Sequence, residues 1–325
     1  MKRRGGLREG VSMSDDAEQL DKKVREWLEH EGYPLEFRVA KKFQENGFAI
    51  RQGSYVKDPN SDVPREIDVV AFRDGHSKQH LLRVKHIVEC KWSKDKPWVV
   101  FTSPHGISPS ACITQTIASK FGSAILWKEA GLKQLQDLEL FLTPKNSGFN
   151  GRQAFYKEGI DRFYSAMQSV ISAAKFDVDD YNNPNRKPGQ LPKAAVVGFP
   201  VIVIQGDLFE AFLDPKSSDL VLRRAPHIRC HWKGSKEWSL HATVDIITFE
   251  HLDKFLTTRS AQVETLLRIM QMSVDEITKC IENNSIESLN ITKGSRGVVG
   301  LHHLFREFVG NQKALKPPNT DKKVD

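Results

Sequence analysis

Cysteine is scarce in this chain of 325 residues, and long apolar runs are missing. The four cysteines, at positions 90, 112, 230 and 280, are widely spaced without a CxxC pair, which argues against a disulfide framework and a zinc ribbon. The longest apolar run, AAVVGFPVIVI at 194–204, has 11 residues, whereas a membrane-spanning helix needs about 20. No apolar segment follows the basic start MKRRGGLREG, so no secretory signal is predicted. These features favour a protein of the reducing cytoplasm with no membrane partner.

Signatures of nucleotide binding and serine hydrolysis are also missing, because the sequence has no Walker motif, GxGxxG or GxSxG. What the chain does have is material for a packed core. Its hydrophobic content is 39%, with 18 Phe and 6 Trp, which excludes collagen, a coiled coil and wholesale disorder. The length corresponds to about two domains of roughly 150 residues each, or to one elaborated domain.

The net charge of +7 is concentrated at the two ends of the chain. Residues 1–9 contribute +3 and residues 313–325 contribute +2, so the body of the protein is close to neutral. Basic tails suit a polyanionic partner such as nucleic acid. A tail that only improves solubility explains the same charges equally well, so charge alone does not establish nucleic-acid binding.

The pattern of apolar residues and turn formers predicts an α/β protein. We expect a disordered basic N-terminus at 1–15, a main domain at 16–249 with an insertion at about 93–152, a helical region at 250–311 and a disordered basic tail at 312–325. Within this outline the predicted helices are 16–30, 34–46, 113–129 and 153–174, and the predicted strands are 48–55, 66–73, 82–92, 194–204, 220–232 and 238–248.

The segment HIVECKWSK at 86–94 carries the strongest chemical signal. Because side chains alternate along a strand, Glu89 and Lys91 share one face with Ile87, whereas Cys90 and Trp92 lie on the other face. An acid and a base therefore point the same way near the end of an apolar strand.

Two other elements offer acids to the same region. The strand REIDVVA at 65–71 places Glu66 and Asp68 on one face. In the preceding helix, Glu36 lies on the stripe that continues with Ala40 and Phe43. An acid on an apolar helix face is costly unless it is paired or binds a metal. The sequence thus predicts three elements whose acids converge on one spot.

Together, Glu36 on a helix, Asp68 in REIDVVA and Glu89-Cys90-Lys91 resemble the motif of the PD-(D/E)XK nuclease superfamily. The resemblance covers residues 36–91, about a sixth of the chain. The residue before Asp68 is Ile67, where the family name has proline. The implied fold is a restriction-endonuclease-like core of helix, three strands, helix and strand, with a central mixed sheet flanked by helices. The helix at 153–174 and the strand at 194–204 would complete it.

The resemblance implies a metal-dependent nuclease with Glu36, Asp68, Glu89 and Lys91 as its catalytic residues. Mg²⁺ or Mn²⁺ would be held by Asp68, Glu89 and the backbone carbonyl of Cys90, with Glu36 and Glu66 as further ligands. Lys91 would orient or deprotonate the attacking water, or stabilise charge on the phosphorane. A cluster of salt bridges, Glu66–Lys91 or Glu89–Lys91, explains the same residues without catalysis.

Further contacts to nucleic acid are expected outside the motif. Lys94 and Lys96 follow the motif strand and would reach a phosphate, or form an ordinary solvated loop. Gln153 and Lys157, at the start of the predicted helix at 153–174, would add an auxiliary phosphate contact, or form a plain polar helix start. Trp92 and Trp98 either stack on an unpaired base or pack in the core.

The sequence favours a nuclease, with DNA as the preferred partner and a role in restriction, phage defence or DNA repair. The alternatives are a non-catalytic nucleic-acid-binding or scaffold protein on the same fold, and an unrelated α/β protein. A homo-oligomer, or a partner protein that controls activity, is left open. DNA versus RNA specificity and endo- versus exonucleolytic cleavage are left open too.

Overall fold

The computed structural model describes residues 13–57, 64–104, 107–142, 144, 146–156, 162–182, 191–233 and 241–283. Within these ranges the helices are α1 (Met13–Glu31), α2 (Tyr33–Glu45), α3 (Pro109–Gln115), α4 (Lys120–Glu129), α5 (Lys133–Gln136), α6 (Arg162–Asp179) and α7 (Leu252–Glu282), with a 3₁₀ turn at Phe249–His251. The strands are β1 (Ala49–Arg51), β2 (Ser54–Lys57), β3 (Pro64–Ile67), β4 (Val69–Ser77), β5 (His80–Ser103), β6 (Ile117–Ala118), β7 (Ser147–Gln153), β8 (Ala194–Leu213), β9 (Leu220–Arg224), β10 (His227–Lys233) and β11 (His241–Thr248).

A single mixed sheet organises the described residues, so the predicted α/β class is confirmed. Its strand order is β1-β4-β5-β7-β10-β11-β8-β6, and β9 pairs with β8. The strands β5 and β8 also pair with each other in parallel. This additional pairing closes a ring of five strands, β5-β7-β10-β11-β8, which the sequence did not predict. The strands β2 and β3 form a separate two-stranded ribbon.

The ring can close because β5 and β8 are long strands that bend together. Their pairing runs from Leu81↔Ala194 to Phe101↔Ala211, with a register shift between Ser93 and Trp98. Gly206 lies opposite Ser93, and a Cβ at Gly206 would come within 2.3 Å of the Ser93 carbonyl oxygen. Glycine therefore permits the close backbone approach at the bend.

Helices cover both faces of the sheet. The helices α2, α4 and α7 share one apolar cluster with the strands, and α6 packs in the second cluster on the other face. The apolar run at 194–204 forms the first half of β8 and is buried on both faces, as expected for a strand in a parallel pairing. The C-terminal helix α7 belongs to the same core as α2, which it contacts through an ion pair between Lys42 and Asp253.

Several predicted boundaries are wrong, and in two places one physical reason applies. Residues 13–15, predicted as disordered, begin α1. The predicted helix at 113–129 is interrupted by β6, because Ile117 pairs with Gly198 on β8 and Ser119 then caps α4. Within the described residues, the predicted helix at 153–174 corresponds to α6 from Arg162 onward, and its first residue, Gln153, instead ends β7, which pairs with β5. In both places, pairing with a sheet strand overrides a helical pattern of apolar residues.

Parts of three predicted regions lie outside the described residues. These are 1–12 in the predicted N-terminal tail, and 284–325, which comprise the end of the predicted helical region and the basic tail. None of the helices in the described part of the chain is long and apolar enough to cross a membrane.

A buried histidine makes the core sensitive to acid. His86 is fully buried among the rings of Phe43, Phe48 and Phe199. Neither of its ring nitrogens has a hydrogen-bond partner among the described residues. Burial, together with the positive charges of Arg259 and Arg73, lowers the pKa of His86 to about 3. The folded protein must therefore keep this imidazole neutral.

Between pH 7 and pH 5, we expect the free energy of unfolding of His86→Leu to fall less than that of the wild type. An unfolded histidine takes up a proton below about pH 6.5 and the buried one does not, so this group alone removes about 2 kcal/mol of stability between pH 7 and pH 5. Urea unfolding at the two pH values measures the difference. His76→Leu, at an exposed position, is the control. Equal pH slopes for the wild type and His86→Leu would contradict the prediction.

Candidate active site

Asp68 lies at a bend between β3 and β4, beside the strand β5. The pairing of β4 with β5 ends at Val69↔Val88, so the backbone of Cys90 faces no strand residue on that edge. The Asp68 carboxylate takes this place, and its Oδ2 accepts a hydrogen bond of 2.6 Å from the Cys90 amide. The N–H and C=O of one strand residue point to the same edge. The Cys90 carbonyl is therefore directed to the side that holds Asp68.

Glu89 and Lys91 occupy the face of β5 that is covered by α6. Glu89 is only 8% exposed. Its Oε2 accepts a hydrogen bond of 3.1 Å from the Ser169 hydroxyl on α6. Its Oε1 accepts a hydrogen bond from the Lys91 ammonium group, whose side chain remains 35% exposed. The arrangement buries the acid almost completely and the base in part.

Glu36 and Glu66 approach from the other two elements. Glu36 lies half-buried in the first turn of α2, and Glu66 is exposed on β3. Burial raises the pKa of Glu36, and the negative charges of Glu66 and Glu89 raise it further, while Lys91 lowers it. The prediction that Glu66 and Asp68 share one face of a continuous strand is wrong, because the strand breaks at Asp68. Glu66 belongs to the separate ribbon instead.

Negative charge is in excess at this site. Burial, followed by the charge of Glu89, raises the pKa of Asp68 to about 7, and Glu36 adds to the effect, although Lys91 and the Cys90 amide oppose it. Burial would lower the pKa of Lys91, but attraction to Glu89 and Asp68 outweighs it and raises this pKa. Several carboxyl groups thus compete for one ammonium group, and a further cation would relieve their mutual repulsion.

The donor atoms are of the kind that a hard divalent cation prefers, but they are not arranged as a finished site. Among the described residues, no group of three or more His, Cys, Asp or Glu side chains is placed to hold a metal ion. In addition, both oxygens of Glu89 and one oxygen of Asp68 accept hydrogen bonds from protein groups. Mg²⁺ needs only one or two carboxylates together with waters and substrate oxygens. The residues therefore fit such an ion chemically.

The residues predicted to contact nucleic acid outside the motif differ in where the structure places them. Gln153 lies on β7 and not at a helix start, and its buried amide donates to the Ser93 hydroxyl at 2.7 Å, so it joins β7 to β5. Lys96 is exposed, and its ammonium lies 4.8 Å from the centre of the Tyr156 ring. The side chain of Lys94, and the whole of Lys157, lie outside the described residues.

The two tryptophans near the motif differ in burial. Trp98 is buried against Phe163 in the cluster beneath α6, so it is a core residue. Trp92 is 42% exposed and follows Lys91 directly. The hydroxyl of Ser169 is the contact that sequence reasoning missed. Its only sequence signal is its place on α6 beside the apolar stripe of Met167 and Val170.

No protein-family model matches the chain, and no curated protein or solved structure matches it either. The resemblance to the nuclease superfamily therefore stays a prediction from the sequence motif.

Proposed function

We propose that this chain is a metal-dependent nuclease that hydrolyses phosphodiester bonds, with DNA as the preferred substrate. The observation that supports the proposal best is that Asp68 binds the amide of Cys90, the residue between Glu89 and Lys91, which form an ion pair with each other. Glu36 adds a further acid from α2. Burying like charges together destabilises a fold, so such groups are kept mainly where a function needs them. Groups with strongly perturbed pKa values therefore concentrate at functional sites.

An ion pair that serves only stability would need Glu89 and Lys91 but not the additional acid Asp68. Glu89 and Lys91 satisfy each other, and burial of such a pair contributes little net stability. Asp68 lies beside this pair, and its raised pKa shows that its charge is poorly compensated. A second, unfavourable acid has no use in a structural pair, but it can serve as a ligand of a divalent cation, which one or two carboxylates hold.

The residues suggest a division of tasks. Asp68, Glu89 and the Cys90 carbonyl would hold Mg²⁺, and Glu36 would add an acid close by. When bound, Mg²⁺ polarises the phosphoryl oxygen and lowers the pKa of water. Ser169 fixes the orientation of Glu89 through its hydrogen bond. Because the pKa of Lys91 is raised, its ammonium stays protonated at neutral pH. Lys91 is therefore suited to orient the water or to stabilise charge on the phosphate, and not to act as a base.

A non-catalytic protein that binds nucleic acid is the second candidate. The ion pair between Lys91 and Glu89, together with the lack of a finished metal-binding group in the described part of the chain, favours it. Such a protein would bind nucleic acid without turnover, and its affinity would not depend on a divalent cation.

One set of incubations separates the two candidates. Supercoiled plasmid, linear duplex DNA, single-stranded DNA and RNA are each incubated with the protein and Mg²⁺, Mn²⁺ or EDTA. We expect at least one DNA substrate to be cut with Mg²⁺ or Mn²⁺ and left intact with EDTA, because the acids of the site hold no catalytic cation without these ions. Retardation of intact DNA on gels, equal with Mg²⁺ and with EDTA and without any cleavage, would instead support the non-catalytic candidate.

A further inference from the structure

A large cavity lies away from the candidate active site. Its volume is about 1060 Å³, and none of the proposed site residues lines it. The same two strands, β5 and β8, reach both places. Phe101 in the cavity wall follows Lys91 by ten positions along β5, and the bend of the strand lies between them. The cavity is therefore a second place where a ligand could bind.

Buried charged groups form one wall of this cavity. Arg229 and Arg259 line it, although they are only 5% and 2% exposed. Both donate to the carboxylate of Asp245, Arg229 at 2.9 Å and 3.2 Å and Arg259 at 2.9 Å. His227 also contacts this carboxylate at 2.7 Å. One acid thus serves two buried guanidinium groups and an imidazole.

Hydrogen-bond donors exceed acceptors in this wall. A guanidinium group has five N–H donors. Arg229 uses four of them, because it also donates to the backbone carbonyls of Glu139 and Leu142. Arg259 donates to Asp245 and, at 3.4 Å, to Gln262. Three N–H groups of Arg259 thus have no protein acceptor among the described residues, so an acceptor within the cavity would satisfy them.

The other acids of the cavity do not supply these acceptors. The carboxylate of Glu210 accepts hydrogen bonds from Thr102 at 2.7 Å and from Arg223 at 2.6 Å. Glu139 is exposed, and its charge influences Arg259 without forming an ion pair within 4.0 Å among the described residues. The position beside Arg259 is consequently suited to an acceptor from outside the chain, and an anion is the strongest such acceptor.

The rest of the cavity is apolar. Phe101 and Phe149 lie with their ring centres 6.4 Å apart. Leu213 and Leu220 stand on paired strands at the mouth and are 65% and 74% exposed. Exposed apolar side chains around a concave site commonly mark a surface that a ligand covers.

We propose that this cavity binds a small organic anion that has one acidic group on an apolar body. The acidic group accepts hydrogen bonds from Arg259, and the apolar body lies against the phenylalanine and leucine side chains. The proposal is independent of the nuclease activity, because it involves none of the residues of that site.

A pair of fluorescent probes tests the proposal. 8-Anilinonaphthalene-1-sulfonate carries one anionic group on an aromatic body, and N-phenyl-1-naphthylamine has the same body without the charge. We expect saturable binding of the sulfonate to the full chain, and binding of the neutral amine that is weaker by about tenfold, since a hydrogen bond between charged groups contributes about that factor. Arg259→Met should bring the two affinities close together.

Leu220→Glu and Leu222→Glu form a matched pair that does not disturb the buried charges. Both leucines are exposed on β9, but only Leu220 lines the cavity. Glutamate at 220 repels an anion at the mouth, so we expect it to weaken sulfonate binding by about tenfold, while glutamate at 222 leaves binding unchanged. Equal effects of the two variants, or equal affinities of the wild type for the two probes, would overturn the proposal. These two variants test whether the probe binds in the cavity even if Arg259→Met does not fold.

Discussion

Replacing Lys91 with alanine should abolish cleavage while divalent-metal binding persists. Lys91 is not a metal ligand in the proposed site, and its protonated ammonium acts on the water or the phosphate. Loss of a group that orients a reactant or stabilises transition-state charge lowers rates by about 10²–10⁴-fold. Binding of Mn²⁺ should persist or strengthen, because Oε1 of Glu89 loses the ammonium that it binds in the wild type. Calorimetric titration with Mn²⁺ beside a plasmid-nicking assay measures both effects.

Lys78→Ala provides the matched control for this experiment. Lys78 forms an exposed ion pair with Glu282, and it lies two positions before β5 begins, whereas Lys91 lies in the middle of that strand. Because exposed ion pairs contribute little to stability, Lys78→Ala should fold like the wild type. Lys78 is not part of the proposed site, so cleavage and Mn²⁺ binding should not change. Wild-type nicking by Lys91→Ala would contradict the catalytic assignment and leave the ion pair with Glu89 as a structural contact.

The elements that build the candidate site follow from local sequence patterns. The helix around Glu36 begins and ends within one residue of its prediction, because Pro34 starts it and Gly47 follows it. Glu89 and Lys91 share a face as strand alternation requires. These patterns are local, so they need no knowledge of the neighbouring elements.

Features that depend on distant pairing could not be predicted in the same way. The bend at Asp68 interrupts what looks like one strand, and the Cys90 amide that it binds lies 22 residues further along the chain. The same limitation applies to Ser169, which reaches Glu89 from α6 across 80 residues. Hydrogen bonds of this kind depend on how elements pack, and no spacing in the sequence indicates them.

The charged wall of the cavity illustrates this limit most clearly. Arg229 and Asp245 are directly opposite each other on β10 and β11, and Arg259 comes from α7. In the sequence they are three separate charges in unremarkable surroundings. Only the closure of the five-stranded ring, together with the packing of α7, makes them a buried group.

Asp68→Asn should remove both metal binding and cleavage while stabilising the metal-free protein at high pH. Asparagine keeps an oxygen that can accept the Cys90 hydrogen bond, so the bend should persist. It removes one of the few negative charges that a Mg²⁺ site has, so we expect Mn²⁺ affinity to fall by at least about tenfold, and cleavage to fall with it. Asp207→Asn, which removes an exposed acid from an ion pair with Arg224, should leave both properties unchanged.

Melting temperatures of Asp68→Asn and the wild type, measured with EDTA and with Mn²⁺, show whether Asp68 is a metal ligand or an ordinary buried acid. Burial and the charge of Glu89 raise the pKa of Asp68 to about 7 in the folded protein, well above the value near 4 of an unfolded aspartate. The folded state therefore binds a proton more tightly, and wild-type stability falls as the pH rises from about 4 to about 7 and stays low above that range. Asparagine has no such loss, so in EDTA at pH 8 the variant should melt at a higher temperature than the wild type, with a smaller difference at pH 5. Added Mn²⁺ should raise the melting temperature of the wild type alone, because only the wild type holds the ion. Equal stabilisation of both proteins by Mn²⁺ would show that Asp68 is not a ligand.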